Sequence, residues 1–161
     1  MDRLAGCSSH PVSGAIALGS NLGDRTAHLD FAVSRLRILL TGLRVSRYYD
    51  TAPVGVTGPQ PRFFNAAAVG EWTLGPRALL DALLDIERER GRERPHPGAA
   101  RTLDLDLVLF GDCVIDEPGL VIPHPRFRER RFVLEPLADV APWMVDPVTG
   151  ETIARLLART D

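Results

Sequence analysis

The stretch that decides the fold is Leu103-Asp104-Leu105-Asp106-Leu107-Val108-Leu109-Phe110. Apolar and polar residues alternate here with period two, the pattern of a strand with two unlike faces. Aspartate is disfavoured in strands, yet two of them leave the same face, roughly 7 Å apart at the backbone given the rise of a strand. Like charges held that close repel, so the arrangement makes sense when a cation lies between or over them. Carboxylate oxygens favour a hard ion, magnesium or manganese, over zinc. Asp104 and Asp106 are therefore candidate metal ligands. The plainer alternative is an edge strand whose wet face discourages aggregation. Against it, strict alternation puts Val108 and Phe110 on the aspartate face.

Upstream, Gly75-Pro76 opens a helix in which Leu79, Leu80, Leu83, Leu84 and Glu87 share a face, and Gly91 supplies the stop. Glu87 thus stands where a core residue is expected. Farther back, Ala15-Ile16-Ala17-Leu18 reads as a short buried strand running into the turn Gly19 to Asp24. Leu29, Ala32, Val33, Leu36, Leu39 and Leu40 recur at helical spacing, predicting an amphipathic helix of about four turns. Val45 to Tyr49 reads as a strand, Pro53 to Pro61 as a Gly- and Pro-rich loop, and Phe63 to Trp72 as another strand. Downstream come Val114-Ile115, a turn, and Ile122-Pro-His-Pro125, with short helices expected from about Glu129 to Ala138 and from Glu151 to Arg159. The order strand, helix, strand, strand, helix, strand predicts a ferredoxin-like α+β sandwich, an antiparallel sheet with helices packed on it and C-terminal additions.

With 161 residues, 45% of them hydrophobic and 25% charged, the chain reads as one domain over residues 1–161, with residues 1–13 loosely held. A net charge of -2 offers no general attraction to nucleic acid or an anionic membrane, so an anion site has to be local. All 19 basic residues are arginine. The absence of lysine excludes a Walker-type phosphate loop, a kinase-type strand lysine and a lysine Schiff base. Cys7 and Cys113 lack the spacing of a disulfide framework or zinc knuckle and read as thiols. The first dozen residues hold no apolar run of the signal-peptide kind, and none elsewhere is long enough to span a bilayer, which points to the cytoplasm.

Nearly half of the arginines fall in two short windows, Arg88, Arg90, Arg92, Arg94 and Arg101, then Arg126, Arg128, Arg130 and Arg131. The planar guanidinium matches phosphate oxygens and keeps its proton near neutral pH, so such clusters suit polyphosphate. A solvated helix end is the alternative for the first window. In Phe63-Phe64-Asn65 and Arg131-Phe132, rings adjoin polar groups able to stack on and hydrogen-bond a heterocycle. His124, between Pro123 and Pro125, sits in a rigid setting that could aim its ring at a ligand.

Seven pieces in one order, Gly19-Ser-Asn-Leu-Gly23, Thr51-Ala-Pro-Val-Gly55, Phe63-Phe-Asn65, Gly91-Arg-Glu-Arg94, Arg101-Thr-Leu-Asp-Leu-Asp106, Ile122-Pro-His-Pro125 and Arg130-Arg-Phe-Val-Leu134, closely resemble the 6-hydroxymethyl-7,8-dihydropterin pyrophosphokinase family. The resemblance runs from about Ala15 to the C-terminus. It implies a monomeric, magnesium-dependent diphosphotransferase with a ferredoxin-like fold that binds ATP and then the pterin, releasing AMP. Two magnesium ions would be held by Asp104 and Asp106, which with Arg92 and Arg101 form the catalytic set. The resemblance implies nucleotide contacts from Glu87, Arg92, Arg101, Leu107, His124 and Arg130, and pterin contacts from Thr51, Val54, Gly55, Phe63, Asn65 and Phe132. The sequence departs from the family pattern where Phe63 replaces a tyrosine of some members, Leu84 a glutamine and Gly98 a loop tryptophan, and where the loop from Arg94 to Arg101 is about one residue short. The loops Gly55 to Pro61 and Arg92 to Ala100 are expected to close over bound ATP. Two other readings remain open at this point, a catalytically impaired nucleotide-binding homologue and a ferredoxin-like RNA-binding module, although the strand aspartates would repel RNA.

Overall fold

A computed structural model describes residues 10–54, 58–91 and 102–160. The chain runs β1 (Val12–Ser20), α1 (Arg25–Leu39), β2 (Thr41–Val45), β3 (Tyr49–Thr51), β4 (Phe63–Trp72), α2 (Pro76–Glu89), β5 (Asp104–Phe110), a hairpin of β6 (Ile115–Glu117) and β7 (Leu120–Ile122), a 3₁₀ turn (Phe127–Glu129), α3 (Arg131–Val140) and α4 (Ile153–Ala158). β1 begins at Val12, paired with Trp72, so the last residues of the stretch read as loose belong to the sheet; residues 1–9 lie outside the described residues.

The main sheet is antiparallel in the order β2-β4-β1-β5, with β3 adding to β4 beyond β2. This is the expected ferredoxin-like arrangement. The alternation of β1 and β4 separates two cores. Ile16, Leu18, Ala66 and Ala68 face α1 and α2 and meet Leu29, Leu36, Leu79 and Leu83. Ala15, Ala67 and Val69 face the other way, against Val133, Leu134 and Leu137 of α3 and Ile153 and Leu156 of α4. Asp24 caps α1, its carboxylate accepting from the Ala27 N–H at 3.0 Å. Pro76 starts α2, and Gly91, at φ +79°, supplies the left-handed residue just past its end.

Two strand expectations need correction. The strand expected over Val45–Tyr49 is two strands with a break between them. At the break the Ser46 hydroxyl accepts the Ala67 N–H at 2.8 Å in place of a ladder carbonyl, and Tyr48 turns out to donate to Asp30 at 2.6 Å. Side-chain competition of this kind ends regular pairing. The second correction concerns β5. Its register with β1 steps from Ile16↔Leu107 to Ala15↔Leu109, leaving Val108 as the extra residue of a β-bulge. Strict alternation therefore stops at Val108: it packs with Leu109 in the α3 core, while Phe110 returns to the α1/α2 core with Leu103, Leu105 and Leu107.

Cys113 is buried and disulfide-bonded, correcting its reading as a thiol; spacing along the chain does not report long-range pairing. Cys7 lies outside the described residues. Among the described residues no helix is long and apolar enough to cross a membrane.

Gly70 leaves room for the α1–β2 corner: a Cβ there would lie 2.8 Å from Leu40 Cβ and 3.3 Å from Leu43 Cδ1. Gly70→Ala is expected to cost about 1–3 kcal/mol by overpacking, read as a lowered urea midpoint at unchanged slope.

Candidate active site

β1, β4 and β5 present their second face, where it is not covered by α3, to a cavity of about 510 Å³. That is the size of a small-molecule site. Three groups of side chains converge on it. Asp104 and Asp106 come from β5; Thr51, Phe63 and Asn65 come from β3 and β4; Arg126, Glu129, Arg130, Arg131 and Phe132 come from the 3₁₀ turn and the start of α3. Val54 lies at its edge.

The β5 carboxylates reach the cavity because the leucines that alternate with them are fixed on the opposite side. Leu103, Leu105 and Leu107 are buried under the helices, and the Leu105 N–H donates to Glu87 Oε2 at 2.6 Å. Glu87 is 2% exposed. It lies beneath the sheet on the α2 side and does not line the cavity, and the Leu107 side chain is likewise in the core. Neither is brought to the cavity by its side chain. Arg92, Arg101 and Gly55 lie outside the described residues.

The Thr51 corner is prearranged. Asn65, 7% exposed, donates its amide N–H to Thr51 Oγ1 at 2.5 Å. This leaves the Thr51 hydroxyl proton able to donate elsewhere. Gly19, opposite Asn65 in β1, lets these groups pack down: a Cβ there would lie 3.1 Å from Asn65 Oδ1 and 3.7 Å from Phe63 Cδ1. The described part of the following loop is tied to β1 and α1, with buried Asn21 donating to Gln60 Oε1 at 2.9 Å and Arg25 to the Arg62 carbonyl at 2.8 Å. Arg62 in turn holds Asp50 at 2.9 Å.

His124 is docked by the bulge, its N–H donating to the Val108 carbonyl at 2.9 Å. Its Nδ1 accepts the Arg126 N–H at 3.2 Å, so the neutral ring carries its proton on Nε2. Burial pushes the His124 pKa down, as do the charges of Arg130 and Arg126, with Asp104 opposing them. Arg130 also lies 5.6 Å from the Phe132 ring centroid, and both residues line the cavity.

Sequence reading named Asp104, Asp106, Thr51, Val54, Phe63, Asn65, Arg130 and Phe132, and the structure gathers all eight around one cavity. It had Arg126 and Arg131 only as members of an arginine window, and it did not single out Glu129 of that same window or Gly19 as lining residues. Among the described residues no group of three or more His, Cys, Asp or Glu could hold a metal alone. The two β5 carboxylates still fit magnesium, which is commonly held by one or two carboxylates with substrate phosphates completing its octahedral shell.

Residues 15–142 match the family model of 7,8-dihydro-6-hydroxymethylpterin-pyrophosphokinase (HPPK). A 2-amino-4-hydroxy-6-hydroxymethyldihydropteridine pyrophosphokinase of Pseudomonas aeruginosa is 43% identical over 145 residues, covering 89% of this chain and 88% of that protein. One of the same name from Synechocystis is 40% identical over 149 residues, covering 91% of this chain and 75% of the relative. A crystal structure of wild-type Plasmodium falciparum HPPK-DHPS with pteroate superposes with a TM-score of 0.77 at 14% identity, covering 97% of this chain and 45% of that longer one; a likeness so distant in sequence speaks for the fold alone. Motifs, cavity and relatives agree, and the chain belongs to the 7,8-dihydro-6-hydroxymethylpterin-pyrophosphokinase family, the pyrophosphokinases of folate biosynthesis.

Proposed function

We propose that the cavity carries out pyrophosphoryl transfer from ATP to the hydroxymethyl group of 6-hydroxymethyl-7,8-dihydropterin, with the two substrates meeting over Asp104 and Asp106. The observation that carries this reading is that those carboxylates line one cavity together with Thr51, Phe63, Asn65 and Phe132 and with Arg126 and Arg130. In the transfer, the pterin hydroxymethyl oxygen forms a bond to the β-phosphorus, the bond from that phosphorus to the oxygen bridging it to the α-phosphorus breaks, AMP leaves and the hydroxyl proton is released. The protein's contribution is alignment and charge compensation.

Thr51 and Asn65 supply the donor and acceptor groups that fix the edge of the pterin, and Phe63 and Phe132 supply flat apolar surface for its faces. Arg126 and Arg130 offset polyphosphate charge with donors that do not titrate near neutral pH. Neutral His124 offers its Nε2–H as a further donor on that side. Asp104 and Asp106 would hold magnesium, which when bound neutralises phosphate charge and lowers the pKa of the attacking alcohol. Arg92 and Arg101, from the family resemblance, complete the grip on the phosphates. We place the protein in the cytoplasm and read it as a monomer, on the same resemblance.

The decisive test is AMP release from ATP, magnesium and the pterin alcohol. The native chain should give pterin-dependent AMP, and Asp104→Ala and Asp106→Ala should each lower kcat by about 10²-fold or more; ADP as product, or full turnover in either variant, sinks the reading. Thr51→Val keeps the shape of the corner but removes the partner of the Asn65 amide. It is expected to raise the KM for pterin about tenfold while leaving the KM for ATP unchanged, as initial rates would reveal. For His124, an NMR titration should place the ring pKa below about 6.5, and Arg130→Gln should move it upward by removing a neighbouring cation. Because the folded protein disfavours protonated His124, this residue's contribution to stability falls as pH drops below the unfolded histidine value.

A further inference from the structure

The turn that carries Arg126 and Arg130 into the cavity is held from behind by a residue that sequence reading did not single out. Asp146 lies in the α3–α4 connection, beyond the residues matched by the family model. Its side chain has 0% exposure, and its carboxylate is surrounded by donors. Arg128 donates through Nε to Oδ2 at 2.5 Å and through Nη2 to Oδ1 at 2.9 Å. The Val148 N–H donates to Oδ1 at 3.0 Å and the Thr149 hydroxyl to Oδ2 at 2.7 Å. The backbone around it is closed as well: the Asp146 N–H donates to the Glu151 carbonyl and the Gly150 N–H to the Asp146 carbonyl, each at 2.8 Å. Burial works to raise the Asp146 pKa, and Arg128, Thr149 and the Val148 N–H outweigh it and hold the group below the usual carboxylate range. The pair is therefore ionised at neutral pH.

Arg128 is the middle residue of the 3₁₀ turn Phe127–Glu129. It points away from the cavity, whose lining takes in Arg126, Glu129 and Arg130 on either side of it. Phe127 is fully buried in the α3 core, and the Arg128 guanidinium lies 4.8 Å from its ring centroid. A three-residue turn has little hydrogen bonding of its own to fix it. A bidentate pair between a planar guanidinium and a buried carboxylate fixes both the position and the rotation of the turn. The Asp146 loop is itself locked by the Val145↔Thr152 bridge, so the clamp transmits the rigidity of the α3–α4 unit to the arginines at the cavity.

We propose that Asp146 is a positioning residue for the nucleotide half of the site, acting through Arg128 to orient the turn that presents Arg126 and Arg130. The proposal rests on the reading of those arginines as polyphosphate ligands. The test uses the full chain and the variants Asp146→Asn, Arg128→Ala and their combination. Calorimetric titration with magnesium and a non-hydrolysable ATP analogue, without pterin, is set beside thermal unfolding and AMP release at saturating ATP. Each single variant is expected to weaken analogue binding and raise the KM for ATP about tenfold, with kcat within about threefold of the native value. The double variant should be no weaker than the worse single one, as coupling through one contact requires. Variants that melt earlier yet bind the analogue like the native chain, or losses that add in the double variant, overturn the proposal. Should Asp146→Asn fail to fold, Arg128→Ala, whose side chain is partly exposed, carries the same readout, and unchanged affinity there overturns it equally. A native chain that binds no analogue sinks the reading of the cavity and the proposal together, whereas native binding with unaffected variants sinks the proposal alone.

Discussion

Everything in the site depends on β5 holding its leucines to one side and its aspartates to the other. A slip of one residue would exchange the two sets. Asp104 and Asp106 would then face Leu29, Leu36, Leu79 and Leu83 under the helices, where an uncompensated carboxylate is strongly disfavoured. The leucines would be left in an open cavity. Burial and charge solvation therefore select the same register. The hydrogen bond from the Leu105 N–H to buried Glu87 fixes it at the residue between the two carboxylates. Glu87 thus fixes the two aspartates from beneath the sheet, through the backbone.

The same strand changes its rule four residues after it begins, and that change is what admits the second half of the site. Past the bulge at Val108, β5 contributes Val108 and Leu109 to the α3 core, and the Val108 carbonyl receives the His124 N–H. Bulges occur next to active sites because they re-aim a strand and break its ladder. The alanines at 15, 17 and 67 leave depth on that face for α3, so that Phe132 and Arg130 reach the cavity from its first turn and the residue before it.

The parts of this protein legible in its sequence are those in which one periodicity governs a whole element. The β4 limits, the α2 limits and the aspartate face of β5 follow from alternation, helical spacing and the Gly-Pro and Gly91 boundaries. What escaped was set by single contacts across long sequence separations. The Ser46 hydroxyl replacing a ladder carbonyl splits one expected strand into two. The bulge depends on β1 register, which Leu107-Val108-Leu109 does not reveal by itself. Glu87 stood out as a polar residue at a core position, but that its partner is the Leu105 backbone needs the fold. Gly19 carries no positive φ, and its requirement comes from Asn65 and Phe63 across the strand. Of the eight residues gathered at the cavity, Asp104 and Asp106 follow from alternation, Phe63, Asn65 and Phe132 from rings beside polar groups, and Thr51 and Val54 only from the motif order, whereas Arg126 and Arg131 were visible only as members of an arginine window.

That window shows how a chain with a net charge of -2 gathers a local cationic patch without lysine. Four arginines within six residues would repel one another if they all faced one way. The fold instead separates them: Arg128 turns inward to Asp146, Arg131 is tied to Glu135 on its own helix at 3.1 Å, and Arg130 lies by Phe132 at the cavity. Neutralising some members structurally lowers the cost of presenting the others, because the remaining cations meet less like charge until an anion arrives. Lysine could not do this equally well at position 128, since a single ammonium cannot span both oxygens of a buried carboxylate in the guanidinium's planar geometry. The all-arginine composition is thus consistent with a site whose cationic side depends on bidentate anchoring as much as on charge.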